Sequence, residues 1–290
     1  MEENKLYSPK VLKGVIEKHG FRFSKGLGQN FLIDGNVVRN ICNAADINEN
    51  DEVIEIGPGV GTLSQELCQR AKKVLAIELD DRLIPILKDT LSEHDNFSII
   101  NSDVLKLDLH KVIKENFEGD SVKLAANLPY YITTPIIMKI LESHLKIKKI
   151  AVMVQKEVAM RIQAKPGTKD YGALSIAVGY YSKAEIALNV PRNVFMPKPN
   201  VDSAVVVLDI YGKPRVDVED EVLFFKVVKS AFAKRRKTLL NALSSGFISL
   251  NKEQVKNVLE RCNIDPKLRG EVLSIEDYAK ITNTIVKNRL

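Results

Sequence analysis

The chain has little cysteine and little histidine. Its three cysteines, Cys42, Cys68 and Cys262, are widely spaced in 290 residues, and no Cys-x-x-Cys pair occurs. An odd, scattered set argues against a disulfide framework or a thiolate zinc site and predicts reduced thiols in an intracellular, cytoplasmic protein. The four histidines, His19, His94, His110 and His144, are likewise isolated, so no metal site is expected. No apolar run approaches the roughly 20 residues needed to cross a bilayer. Met1–Lys10 carries two glutamates and no apolar stretch, which predicts neither a membrane span nor a secretory leader. Low-complexity tracts are absent too. With 45% hydrophobic and 28% charged residues, the composition is that of a soluble globular protein of one large or two ordinary domains.

The net charge is +6, and its distribution is uneven. Residues 1–212 carry 27 basic and 27 acidic side chains, whereas 213–290 carry 16 and 10. The whole excess falls in the last quarter, the asymmetry expected where a polyanion touches the carboxyl-terminal part. A solvated basic helix face would give the same count.

The middle of the chain alternates short apolar runs with amphipathic stretches. Strands are predicted at 53–56, 74–78, 97–101, 122–127 and 150–155, with helices at 62–71, 80–91, 107–116 and 135–143 between them. That alternation predicts an α/β fold with a parallel, doubly wound sheet. Two further runs, 183–190 and 203–210, have only a proline-rich loop between them and read as an antiparallel pair ending the sheet. A helix is predicted at 171–181 just before them. From Glu219 only helical periodicity remains, through Phe224, Phe225, Val228, Phe232, Leu239, Leu240 and Leu243, then at 252–262 and 275–287. The turn-forming triplet Gly212-Lys213-Pro214 marks a boundary between an α/β domain, residues 1–212, and a small helical domain, residues 213–290.

Three segments carry chemistry. The first is Val53-Ile54-Glu55-Ile56-Gly57-Pro58-Gly59-Val60-Gly61, a strand running into a Gly-x-Gly-x-Gly turn. Gly57, Gly59 and Gly61 allow backbone angles closed to other residues and let a ligand lie against the main chain. A dinucleotide site would place its third glycine at position 62, which is Thr62 here, so a nicotinamide cofactor fits poorly. The pattern resembles motif I of Rossmann-like class I methyltransferases, which implies S-adenosyl-L-methionine. In the second segment, Glu78 ends the next strand and can accept hydrogen bonds from two vicinal ribose hydroxyls. Asp80 suits a helix N-cap better. Asp103, after the third strand, is placed to accept from an adenine amino group, or else serves its own turn.

The third segment, Asn127-Leu128-Pro129-Tyr130, follows the fourth strand. The exocyclic nitrogen of adenine is a poor nucleophile because its lone pair is delocalised into the ring. The Asn127 side-chain oxygen and the Leu128 carbonyl can accept its two N–H bonds, favouring a pyramidal nitrogen with its lone pair aimed at the methyl donor. That is orientation and transition-state hydrogen bonding rather than proton abstraction. Pro129 stiffens the loop, and Tyr130 offers a ring for the extruded base.

With these segments in place, the chain resembles the ribosomal RNA small-subunit adenine dimethyltransferases, from about Phe23 to Ser245. The resemblance includes Lys25-Gly26-Leu27-Gly28-Gln29-Asn30-Phe31-Leu32, Phe195-Met196-Pro197-Lys198-Pro199-Asn200-Val201-Asp202-Ser203, and Ala231-Phe232-Ala233-Lys234-Arg235-Arg236-Lys237-Thr238-Leu239. It implies N6 dimethylation of two adjacent adenosines near the 3′ end of 16S rRNA, within the small ribosomal subunit or its precursor. It adds Asn30 and Leu32 to Gly57, Glu78, Asp103 and Asn127 around the cofactor, although Asn30 alone would read as a helix-capping loop residue. It makes Phe195 a second aromatic wall of the base pocket, where its position alone would also suit a core phenylalanine. Lys234-Arg235-Arg236-Lys237, read as lying in one helix with Lys226 and Lys229, becomes a phosphate-contacting surface. A monomer without membrane contact is expected. The rival readings are a 23S rRNA adenine methyltransferase of the macrolide-resistance type, a non-catalytic RNA-binding assembly factor and, least favoured, a dehydrogenase.

Overall fold

The computed structural model describes residues 5–119 and 121–288. By its internal contacts the chain forms two compact units, residues 1–159 with 184–210 and residues 160–183 with 211–290.

Nine strands occur among the described residues: β1 (Phe31–Leu32), β2 (Glu52–Ile56), β3 (Lys73–Glu78), β4 (Phe97–Asn101), β5 (Val122–Asn127), β6 (Ile147–Gln155), β7 (Ser182–Val190), β8 (Phe195–Met196) and β9 (Ser203–Ile210). Seven of them form one sheet in the order β4-β3-β2-β5-β6-β9-β7. The pairs β2–β3, β3–β4, β2–β5 and β5–β6 are parallel, and β9 runs antiparallel to β6. The expected α/β sheet, parallel with an antiparallel closing strand, is therefore what forms. All five residues of β2 are buried, as expected for a parallel strand covered on both faces.

The strand order fixes where a ligand can sit. The chain steps from β2 outward through β3 to β4, then returns to place β5 on the other side of β2. The carboxyl ends of β2 and β5 therefore flank a topological switch point, where open α/β sheets leave a crevice. Local signals begin the surrounding helices. Asp34 caps the helix Gly35–Ala44 by accepting from the Asn36 and Val37 amides, and Asp108 caps Leu109–Asn116. Pro85, near the start of Ile84–Thr90, leaves a separate 3-10 turn at Asp81–Leu83 where one helix over 80–91 was predicted.

The second unit takes up a segment that the sequence pattern assigns to the first. Met160–Lys183 belongs with the carboxyl-terminal helices. The helix Ala173–Tyr181 presents Tyr180 and Tyr181 to Phe224 and Phe225, with stacked pairs at 4.9 and 5.7 Å between ring centroids. The Tyr180 hydroxyl donates to Glu221 at 3.0 Å and that of Tyr181 at 2.7 Å. A pattern of apolar spacing marks the helix but not the partner it packs on. Counted by these units, the second carries 20 basic and 11 acidic side chains and the first 23 and 26, so the cationic excess lies wholly in the second.

The basic run is not helical, which corrects the expectation of one helix through Leu243. The helix Glu221–Ala233 stops at Lys234, whose φ of −133° and ψ of 70° leave the helical region. A new helix starts at Leu239, because the Leu239 and Leu240 amides are taken by the carbonyls of Leu268 and Pro266. Lys234–Lys237 form the turn between them, closed by the Lys237 amide on the Lys234 carbonyl at 2.8 Å.

Candidate active site

The glycine turn at the end of β2 builds the floor. Gly57, Gly59 and Gly61 have φ of +68°, +62° and +96°, so all three occupy the region that favours glycine. They have different neighbours. A Cβ on Gly59 would lie 2.8 Å from the Phe31 ring, whereas one on Gly57 would meet only Pro129 at 3.8 Å across the crevice. Gly61 faces Leu87, Thr90 and Leu91 and makes room for packing; it does not line the cavity.

Glu78, at the end of β3, is 6% exposed. Its Oε1 accepts from the Asp80 amide at 2.8 Å and its Oε2 from the Gly59 amide at 3.3 Å. Burial pushes its pKa up, and the two amides oppose that shift. Asp80 serves a different purpose. It caps the following turn, as its position suggested, and receives Arg82 Nη2 at 2.5 Å and Gln29 Nε2 at 2.7 Å. The Arg82 guanidinium holds the Asp80 carboxyl below the usual carboxylate range. Asp103 accepts from the Leu105 amide through Oδ1 at 2.9 Å, so it makes the turn bond and also lines the crevice.

Asn127 ends β5 with its side chain held in one orientation. Its Nδ2 donates to the Asn30 carbonyl at 3.0 Å, while its Oδ1 takes no donor from the described residues. A carbonyl partner accepts and cannot donate, so the amide nitrogen must face Asn30 and the oxygen is left for a ligand. Next to it, the Leu128 side chain is buried and its amide donates to the Met153 carbonyl, but the Leu128 carbonyl accepts nothing from the described residues. The Tyr130 hydroxyl shares a 2.7 Å hydrogen bond with Ser203 at the start of β9. Burial raises the Tyr130 pKa.

The segment Phe21–Leu32 lies against these groups. Asn30 Nδ2 donates to the Gly28 carbonyl, and Gln29 joins the Ser24 amide to Asp80. A Cβ on Gly28 would sit 3.3 Å from the Tyr131 ring. The short β1 pairs with β8, Leu32 opposite Phe195 and Phe31 opposite Met196. Asn30, Leu32, Gly57, Gly59, Glu78, Asp103, Asn127, Leu128 and Tyr130 thus line one cavity. Phe195 does not join them: it is 3% exposed, within a core cluster that includes Leu32, Val38 and Ile41. Position alone allowed that reading too.

Sequence reasoning assigned no role to Gln29, Tyr131, Ser203 or Glu55. The first three lay inside or beside quoted motifs, but nothing in their spacing reveals a partner. Glu55 is 1% exposed and its Oε2 has no hydrogen-bond partner among the described residues. Burial pushes its pKa up to about 8, so it is mainly neutral at pH 7. Among the described residues no cluster of His, Cys, Asp and Glu could hold a metal ion.

A family model described as ribosomal RNA adenine dimethylase matches residues 20–287. The chain belongs to that family. It is 56% identical to ribosomal RNA small subunit methyltransferase A of Alkaliphilus metalliredigens, over 97% of this chain and 98% of that one. To the protein of the same name in Clostridioides difficile it is 53% identical, over 97% of each chain. Among solved structures it is similar to a dimethyladenosine transferase from Plasmodium falciparum, with a TM-score of 0.75 and 26% identity over 90% of this chain and 98% of that one. The 23S rRNA methyltransferase ErmE shares the fold, with a TM-score of 0.65 and 24% identity over 88% and 99%. The chain is thus an adenine dimethylase with a class I methyltransferase fold, and the relatives named above favour the small-subunit enzyme over the macrolide-resistance type.

The cavity fits the donor that this family and fold use. Gly57 leaves bare backbone on one wall, Glu78 brings two carboxylate oxygens fixed by amides, and Glu55 is among the lining residues, its Oε2 without a partner among the described residues. Such a set suits a nucleoside with a ribose diol and an amino-acid tail.

Proposed function

We propose that this protein dimethylates the N6 nitrogens of two adjacent adenosines near the 3′ end of 16S rRNA, in the small ribosomal subunit or its precursor. Glu78 would hold the ribose of S-adenosyl-L-methionine, Asp103 its adenine, and Asn30, Leu32, Gly57 and Gly59 the rest. When bound, S-adenosyl-L-methionine supplies an electrophilic methyl group on a sulfonium sulfur. The residues of the chain hold and orient the amine. Asn127 Oδ1 and the Leu128 carbonyl accept its N–H bonds, and Tyr130 stacks on the ring. No side chain has to remove a proton before attack, because a neutral amine is already the nucleophile. The product ammonium loses its proton afterwards.

One observation carries this reading: Asn127 is locked with its nitrogen on the Asn30 carbonyl and its oxygen unengaged, beside a second unengaged carbonyl at Leu128. Preorganised acceptors of this kind cost no reorientation during reaction. The second unit, with its 20 basic side chains, supplies phosphate contacts. Among the described residues no helix is long and apolar enough to cross a membrane, in keeping with a cytoplasmic enzyme. Incubation with methyl-labelled S-adenosylmethionine and undermodified small subunits tests the proposal. The label should appear as N6,N6-dimethyladenosine in 16S rRNA. Label confined to 23S rRNA, or to another nucleoside, would refute it.

A further inference from the structure

We infer that Phe247 is a stacking platform for an unpaired RNA base, held rigid by its turn and flanked by unpaired lysines of the helix Glu221–Ala233. This rests on the ribosomal RNA reading above and adds a contact to it.

Phe247 is 58% exposed, the most exposed aromatic side chain among the described residues, and its ring meets no other ring there. Its backbone, in contrast, is fixed to the helix. The Phe247 amide donates to Ser230 Oγ at 2.7 Å, and that hydroxyl donates to the Lys226 carbonyl at 2.7 Å. Ser230 is fully buried. Gly246 seats so closely that a Cβ there would fall 2.3 Å from Ser230 Cβ, so the turn depends on glycine. The ring is therefore presented to solvent from a backbone bonded to the helix.

Within about one turn of Ser230 along the chain, every charged side chain is basic. Lys226 lies one helical turn before Ser230, and Lys229 is adjacent to it. Lys234 lies one turn after and reaches Ser245 Oγ at 3.1 Å. Lys226, Lys229, Arg236 and Lys237 are exposed and have no ion-pair partner among the described residues. Arg235 differs, being spent on the carbonyls of Lys169 and Tyr171 at 2.8 and 3.1 Å. A lone exposed ring could also fill an apolar pocket of a ribosomal protein, but unpaired lysines beside that pocket would lose hydration without gaining a counter-charge. A nucleic-acid strand satisfies both, with phosphates on the lysines and a base on the ring.

The test measures binding of the full chain to undermodified small subunits and to protein-free 16S rRNA over a range of salt. Phe247→Ala should weaken both about 5- to 150-fold, the equivalent of roughly 1–3 kcal/mol per stacked base, with the salt slope unchanged. Phe247→Trp should bind like wild type and Phe247→Leu like the alanine variant, because stacking needs a flat ring. Wild-type affinity in Phe247→Leu, or a loss seen on subunits but not on protein-free rRNA, would mean an apolar protein pocket and overturn the inference. Lys226→Ala with Lys229→Ala separates the platform from RNA binding in general. If this pair flattens the salt slope while Phe247→Ala binds normally, the platform is wrong and the RNA-binding reading stands. If neither variant alters binding, both fail for this unit.

Discussion

The bond between Tyr130 and Ser203 offers a test that separates holding the ring from supplying it. Tyr130→Phe keeps the stacking surface and deletes one oxygen. Its partner, the Ser203 hydroxyl, belongs to a residue that is 0% exposed, so the substitution leaves a buried polar group without a partner. The expected cost is about 1–3 kcal/mol of folding stability. Ser203→Ala strands the Tyr130 hydroxyl instead, which is only part-buried and can find water, so its cost should lie nearer the lower end. Replacing both removes the mismatch, and the double variant should be more stable than the sum of the singles predicts by about 1–2 kcal/mol, within the usual range for contacting residues. Denaturant unfolding of the four proteins measures that interaction directly. Catalysis should follow the same logic. Loss of the tether, worth about 1 kcal/mol, corresponds to roughly a fivefold slower single-turnover methyl transfer, with cofactor affinity unchanged and with Ser203→Ala matching Tyr130→Phe. Additive stabilities, or a Ser203→Ala enzyme at the wild-type rate, would refute the idea that this bond positions the ring.

Three further outcomes are expected. Asn127→Ala should lower single-turnover methyl transfer by about 100-fold or more, by analogy with loss of a preorganised transition-state hydrogen bond, while filter-binding affinity for rRNA stays as in wild type; equal rates would remove Asn127 from the chemistry. Glu78→Ala should weaken S-adenosylmethionine binding by roughly 1.5–3 kcal/mol in calorimetry, and unchanged affinity would take Glu78 out of the site. Glu55 gives a pH signature: its folded-state pKa of about 8 exceeds the usual carboxylate value, so the folded form binds the extra proton and stability declines as pH rises from about 4.5 to 8. Glu55→Gln should remove that decline and leave the protein the more stable of the two at pH 8, as read by denaturant midpoints; parallel pH profiles would show that Glu55 is not held neutral.

The legible parts of the fold and site share a physical cause. Each strand end carries local requirements that act within a few residues: positive φ at Gly57 and Gly59, an acid at Glu78 that accepts from the Asp80 amide, and a stiff Asn-Leu-Pro-Tyr step after β5. The contacts that complete the site act over longer separations. Gln29 reaches Asp80 across 51 residues, the Asn30 carbonyl reaches Asn127 across 97, and Tyr130 reaches Ser203 across 73. No periodicity or turn chemistry encodes such pairs. The chemistry requires an oriented Asn127, but only the fold supplies the carbonyl that orients it. The basic run shows the opposite error. Apolar spacing continues from Phe224 to Leu243 as though one helix held it, yet the carbonyls of Leu268 and Pro266 capture the amides that begin the second helix. Tertiary hydrogen bonding overrode a period that the sequence carries without a break.

The pairing of β1 with β8 has a consequence for the order in which the protein is made. Phe31 and Leu32 are among the residues that line the cavity, but their ladder partners Met196 and Phe195 follow roughly 160 residues later. A ribosome adding about 5–20 residues per second needs on the order of 8–30 s to cover that interval. In its last part, after Asn127 has been made, the glycine turn, Glu78 and Asn127 can all have emerged while the strand that fastens the Asn30 segment has not. The cavity wall is then untethered, so the nascent chain should acquire its affinity for a methyl donor late and abruptly, when β8 leaves the exit tunnel and not when the last cofactor-contacting residue does.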